Sequence, residues 1–410
     1  MIEHVALVAM HTSPLILPGS GDAGGMNVYL DRLARTLAGQ GVTVTTFTRR
    51  TDRDLPVSVE VEPRYRVVHI EAGPVAPIPI VEQRQYADEF AAESLAWIED
   101  RGERPDVVHS HYWLSGRAGV RIKEALGIPL ANSFHTLGKV KDAARADDEA
   151  RQPRDRLLTE EEVIGLSNCV IASTPYEFED LLEHYGASPE RLCVSPPGVD
   201  HRVFSPGDKA AAKKRLGIES EHVIVYAGRV QPHKGTHLAV EALSHLTGPG
   251  RSGDAVLHIV GGASGETGRA EVERCELTIA ERGLEGRVRW FDPVPHAVLA
   301  DHYRAADAVV MPSRSESFGL VAAEAQACGT PVVAANRGGL PYVVHPSESG
   351  LLVDELDPAA FAAALRAIID HPSFAARLSD GALAFSERFS WDATAARLLE
   401  LYDGIREAAA

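Results

Sequence analysis

Two cations, Arg229 and Lys234, share the Gly-bounded stretch Gly228-Arg-Val-Gln-Pro-His-Lys-Gly235, directly after an apolar run ending at Ala227. An arginine can bind two phosphate oxygens at once and a lysine acts as a point charge, so this pair at a strand end suits a pyrophosphate. A solvated basic turn would read the same way, but in an acidic chain the pair favours an anion site. Two carboxylates, Glu316 and Glu324, stand in Ser313-Arg-Ser-Glu-Ser-Phe-Gly-Leu-Val-Ala-Ala-Glu324. The spacing predicts Glu316 in a loop, a helix starting near Phe318, and Glu324 one to two turns inside it. Such a pair can receive different hydroxyls of one ligand. The plain alternatives are helix capping for Glu316 and a solvated helix face for Glu324. A third stretch, Pro18-Gly-Ser-Gly-Asp-Ala-Gly-Gly-Met-Asn-Val-Tyr29, sets Gly24 and Gly25 before a helix whose free N–H groups favour an anion. It is neither a dinucleotide fingerprint nor a Walker loop, and an ordinary glycine-rich turn stays open as its reading.

The elements that must hold these residues follow from the hydrophobic pattern. Strand-like runs at Val5–Met10, Val42–Thr48, Val67–Ile70, Val107–Ser110, Pro129–Phe134 and Cys169–Ala172 alternate with helical stretches such as Tyr29–Gln40 and Ala87–Asp100. The alternation restarts at His222–Ala227, Ala255–Val260, Val288–Phe291, Ala308–Met311 and Pro331–Ala335. Two such series predict an α/β protein of two Rossmann-like domains with parallel sheets. The Pro/Gly-rich Ser195–Gly207 stretch is the joint. The expected division is 1–197, 198–388, and a helix over 389–410 that returns to the first domain. Ligands sit beyond the carboxyl ends of such strands, so the cleft between the two sheets is the expected active site.

The 410 residues, 45% hydrophobic and 24% charged, suit a two-domain globular enzyme. A net charge of −17 argues against nucleic acid as a partner. Apolar runs are too short for a membrane span, and the start, with Glu3, lacks a signal peptide's basic region. A cytoplasmic protein without a membrane partner is expected. Cys169, Cys193, Cys275 and Cys328 are scattered without a CxxC pair, which favours buried free thiols over disulfides or zinc.

The three motifs, in this order and over essentially the whole chain, resemble family 4 of the retaining glycosyltransferases, which have the GT-B architecture of two Rossmann-like domains facing across a deep cleft. Within it, His11-Thr-Ser-Pro-Leu15, Gly21-Asp-Ala-Gly-Gly-Met-Asn-Val-Tyr29, His109-Ser-His-Tyr-Trp-Leu-Ser-Gly116 and Gly228-Arg-Val-Gln-Pro232 look like the mycothiol-pathway branch, which moves N-acetylglucosamine from a UDP-sugar to inositol phosphate. Sucrose-phosphate synthases are more distant relatives. The resemblance implies a nucleotide-sugar-binding second domain and an acceptor-binding first domain. Gly24 and Gly25 would offer backbone to the diphosphate, and Arg229 and Lys234 would neutralise it. Glu316, with Ser317, Phe318, Gly319 and Leu320, would hold the sugar, Glu324 the ribose, and Val294 would lie beside the base. Asn27 and His135 would sit near the reacting centre, and Tyr112, Thr136 and Arg156 at the acceptor. It implies no covalent intermediate, no cofactor and no catalytic metal, since no DxD motif is needed. A homodimer is left open.

Two positions depart from the pattern. Ile80 stands where the inositol-phosphate branch has a phosphate-binding lysine, with Arg84, Lys139 or Lys141 as possible substitutes for the charge. Val294 stands where an arginine is expected, which leaves UDP versus GDP open. These changes favour a zwitterionic acceptor with one carboxylate. They fit the related lincosamide-pathway S-glycosyltransferases, which join a GDP-sugar to ergothioneine; the inositol-phosphate reading is the alternative. A two-domain sugar epimerase would lack the Glu316/Glu324 unit. A nucleotide-binding regulator would have no use for Asn27, His135 and Arg156.

Overall fold

The computed structural model of the chain describes residues 1–19, 21, 23–145, 149–246 and 255–409. Runs such as Val5-Ala-Leu-Val8 and Val223-Ile-Val-Tyr-Ala227 form strands buried on both faces, where β-branched side chains pack well. The chain makes two compact units. One comprises Met1–Ile16, Gly25–Pro196 and Trp391–Ala410, and the other Leu17–Gly24 and Pro197–Ser390.

The first unit holds an eight-stranded sheet of β1 (His4–Val8), β2 (Thr43–Arg49), β3 (Ser58–Glu62), β4 (Tyr65–Ile70), β5 (Val107–His111), β6 (Leu130–Ser133), β7 (Cys169–Ala172) and β8 (Leu192–Val194). Their order is β3-β4-β2-β1-β5-β6-β7-β8, parallel except for the antiparallel β3–β4 edge. The second unit holds β9 (His222–Ala227), β10 (Ala255–Val260), β11 (Val288–Phe291), β12 (Ala308–Met311), β13 (Val332–Ala335) and β14 (Gly350–Val353) in the parallel order β11-β10-β9-β12-β13-β14. In both sheets the order reverses beside the first strand, between β1 and β5 and between β9 and β12. The loops leaving those four strands therefore open at topological switch points, where sheets of this kind seat their ligands.

Alternation along β1 fixes the faces of the first sheet. Val5 and Leu7 pack with Tyr29, Leu30 and Leu33 of the helix Gly25–Gly39. Ala6 and Val8 pack with Phe90 and Leu114 on the opposite face. The helix Trp391–Ala409 adds Trp391, Leu398 and Tyr402 to the Tyr29 side. One contiguous core serves the second unit.

Three strands escape the sequence pattern. β3 alternates Val59 and Val61 with Glu60 and Glu62 at a sheet edge, β8 has three residues, and β14 begins on a glycine. The helix predicted near Phe318 starts at Leu320, after Gly319 takes the left-handed conformation at φ +105°. The expectation of four free thiols is corrected for two of them. Parallel pairing of β7 with β8 brings Cys169 and Cys193 together as a disulfide pair, with Cα atoms 6.4 Å apart. Cys275 and Cys328 are free and buried.

Candidate functional site

In the second unit, the loop leaving β9 is held at both ends. The Tyr226 hydroxyl donates to the Arg229 carbonyl at 3.0 Å. Gly235, at φ +71°, closes a single turn over Pro232–Lys234, and a Cβ there would collide with the Pro312 carbonyl. The loop leaving β12 is tied to it by the Arg314 N–H, which donates to the His233 carbonyl at 2.8 Å. Lys234 Nζ then reaches Glu316 Oε1 at 2.6 Å, and Ser313 Oγ donates to the same oxygen at 3.2 Å. Both charged side chains keep about one-fifth of their surface exposed, at 20% and 17%. The Gly339 N–H fixes the Glu316 carbonyl at 2.7 Å, and Gly338 (φ +53°) leaves no room there for a side chain.

The segment Leu17–Gly24 belongs to this unit. A Cβ at Gly24 would stand 3.2 Å from Arg229 Nε, so the bare glycine lets the guanidinium lie against the backbone. Glu324 is buried in the helix Leu320–Ala327 and accepts a hydrogen bond from the Tyr303 hydroxyl at 3.3 Å. Burial, and then the Glu324 charge, push the Tyr303 pKa far up, so this hydroxyl keeps its proton and donates. Phe318 sits in the core, its ring edge-on to Phe389 at 5.3 Å between centroids. Val294 and Leu320 are half-buried against that core.

In the first unit the candidates gather beyond β1, β5 and β6. The Asn27 amide nitrogen donates to Thr12 Oγ1 at 2.8 Å and to the Ser13 carbonyl at 2.7 Å, which pins the loop leaving β1. Tyr112 and His135, each just past the end of a strand, take left-handed backbone at φ +80° and +59°. Such conformations cost about 1–3 kcal/mol each and concentrate at functional sites. His135 Nε2 meets His111 Nδ1 at 2.9 Å. The His109 ring lies tilted against His111, 4.0 Å between centroids, and bonds Tyr402 Oη at 2.6 Å and Ser133 Oγ at 2.9 Å. Burial holds all three imidazoles neutral. His109 and His135 are pushed down to about 3, and His111 well below its ordinary value.

Arg156 is buried and heavily engaged. Its Nε donates to Glu160 at 2.7 Å, Nη1 to Gln152 at 2.8 Å, and Nη2 to the carbonyl and hydroxyl of Thr136 at 3.0 and 3.1 Å. The guanidinium also lies over the Tyr112 ring, 5.2 Å from its centroid. Burial opposes its charge, but Tyr112 and Glu160 outweigh that and raise its pKa. Ile80 opens the short helix Ile80–Gln83 and packs against the core, and Arg84 pairs with Asp155 at 3.1 Å. Lys139 pairs with Glu161 at 2.7 Å. Among the described residues no group of three or more His, Cys, Asp or Glu is placed to hold a metal, and no helix is long and apolar enough to cross a membrane.

Residues 23–203 match the model of Glycosyltransferase Family 4, and residues 208–384 match that of Glycosyl transferases group 1. A D-inositol 3-phosphate glycosyltransferase of Acidothermus cellulolyticus is 44% identical over 98% of this chain and 90% of its own. The chain belongs to glycosyltransferase family 4. A solved sucrose-phosphate synthase from Thermosynechococcus elongatus is 32% identical, with a TM-score of 0.91 over 99% of this chain and 100% of its own. Anabaena HepE, solved with UDP and glucose, shares the fold at a TM-score of 0.79 and 19% identity, over 98% of this chain and 100% of its own. This family 4 enzyme thus has the GT-B make-up of two Rossmann-like units.

Several residues that shape this glycosyltransferase's candidate sites escape sequence reading. Glu160 binds Arg156, the Gly138 N–H and the Tyr185 hydroxyl. Its place one helical turn after Arg156 was the one available signal. Tyr303, Tyr402 and the Gly338-Gly339 pair reach their partners only through tertiary packing.

Proposed function

We propose that the chain transfers N-acetylglucosamine from a UDP-sugar to D-inositol 3-phosphate with retention of configuration. The observation that carries this is the 44% identity over nearly the whole chain to a D-inositol 3-phosphate glycosyltransferase. Nothing in the comparisons supports transfer from a GDP-sugar to ergothioneine, the reading that Ile80 and Val294 favoured on sequence alone. Ile80 packs against the core, so its apolar character has a structural use whatever the acceptor.

In this reading Arg229 and Lys234 neutralise charge that builds on the departing diphosphate, the largest catalytic contribution available here. Glu316, already bonded by Lys234 and Ser313, receives donor sugar hydroxyls; a carboxylate so engaged is a poor nucleophile. Glu324, backed by the Tyr303 hydroxyl, receives the ribose. His135, neutral and pushed down to about 3, is too weak a base to deprotonate the acceptor and serves as a hydrogen-bonding partner. The leaving phosphate takes that proton. Arg156 and Tyr112 meet the acceptor anion.

The test offers inositol 3-phosphate and ergothioneine in competition, with UDP-N-acetylglucosamine and GDP-sugars, and identifies products by mass spectrometry. Glycosylated inositol phosphate is expected. Exclusive formation of the thioglycoside would reverse the assignment.

A further inference from the structure

Arg49 ends β2 with its backbone N–H on the Met10 carbonyl at 3.1 Å, which sets it beside the end of β1. The side chain is buried at 2% exposure. Its Nη1 donates to the Pro74 carbonyl at 2.7 Å and its Nη2 to the Ala76 carbonyl at 2.8 Å, while Nε is buried without a partner. Among the described residues no carboxylate pairs with it. Other cations of this unit differ: Arg50 pairs with Glu71, Arg84 with Asp155, Lys139 with Glu161 and Arg156 with Glu160. Burial accordingly pulls the Arg49 pKa down, which Tyr86 only partly offsets.

The carbonyls it grips belong to the segment that runs from Gly73 into the helix Ile80–Gln83. Fastening that segment requires N–H donors but no charge, and a neutral amide would do so without the cost of burying a cation. Groups perturbed by burial cluster at functional sites, which makes this charge a candidate for function.

We propose that Arg49 is a positioning residue whose uncompensated positive charge, held at the carboxyl end of β2, draws the anionic group of the acceptor toward the Ile80–Arg84 segment. This rests on the reading that the acceptor is phosphorylated. Arg49 acts through the field and through the segment it grips, and the acceptor itself contacts other side chains.

The experiment measures KM for inositol 3-phosphate and for unphosphorylated inositol, with the UDP-sugar KM as a control. Arg49→Gln keeps amide donors and removes the charge. It is expected to lower the preference for the phosphorylated acceptor on the order of tenfold, leaving the donor KM unmoved. Arg49→Lys is expected to keep that preference. A Gln variant with an unchanged preference, or a Lys variant that loses it as fully, overturns the proposal. If Arg49→Gln does not fold, Ala76→Asp sets a carboxylate beside the intact guanidinium and is expected to reduce the preference similarly; no reduction overturns the proposal too. A wild-type enzyme indifferent to the phosphate refutes the acceptor reading together with the role of Arg49. A wild-type preference that survives these variants refutes only the latter.

Discussion

Lys234 and Glu316 form an ion pair at 2.6 Å, so each side chain helps to orient the other. Lys234→Ala removes a charge whose value grows as the diphosphate leaves, and kcat is expected to fall by about 10²–10³-fold. Turnover within a few-fold of wild type would remove Lys234 from the reaction. Glu316→Gln should also slow turnover, yet intact-mass spectra taken during reaction should never show a glycosylated protein; detection of that adduct would establish a covalent route. The placement of these charges was legible in the sequence because each lies close along the chain to a strand end. The polar groups behind them were not. Tyr303 reaches Glu324 from another helix, and Tyr402 reaches His109 from 293 residues away, through packing that no local pattern encodes.

Short elements with many obligations carry the rest of the site. The helix Arg154–Leu166 presents Glu160, which in one buried carboxylate serves Arg156, Gly138 and Tyr185. Glu160→Ala would leave the Arg156 guanidinium buried without its counter-charge, and is expected to cost about 3–5 kcal/mol of stability. Thermal or urea unfolding reads this directly, and a shift under 1 kcal/mol would show that water compensates the arginine. The sequence pattern found every strand that leads into a switch-point loop, since those are buried on both faces and read as continuous apolar runs. It missed β3 and β14, whose charged alternation and leading glycine resemble loop composition. The left-handed turns at Tyr112 and His135 were invisible for a different reason: nothing in a tyrosine or histidine announces positive φ.

Taken as a whole, the molecule buries neutral histidines in each unit. His109, His111 and His135 lie in the first, and His258 and His302 in the second, where burial pushes the last two down to about 3 and about 4. Unfolded histidines bind protons near pH 6.5 and these do not until far lower, so their stabilising effect is complete above that value. It drains away as pH falls from about 6.5 toward 4, by roughly 1.4 kcal/mol per pH unit for each group. Glu177, raised to about 7 by burial, and Asp180, also raised by burial, work in the opposite sense above their ordinary values, but they are two groups against four in that unit, where burial lowers His4 as well. Calorimetry across this range should show the unfolding temperature dropping on acidification. Replacing His258 and His302 by Gln should flatten the drop for the second unit, and an unaltered slope would place the titrating groups elsewhere.

The first unit is discontinuous, and its last piece is the helix Trp391–Ala409, which sets Trp391 against Tyr29 and the Tyr402 hydroxyl on His109. Translation delivers that helix only after every strand of the second sheet has been made. A nascent chain therefore waits, with the apolar face around Tyr29 uncovered, through the synthesis of roughly half the protein. The order of birth and the order of completion are reversed: the unit begun first can be finished only last. Chaperone binding during synthesis should concentrate on that waiting face, and a ribosome stalled before Trp391 should hold a finished second unit beside a first one still open to proteolysis.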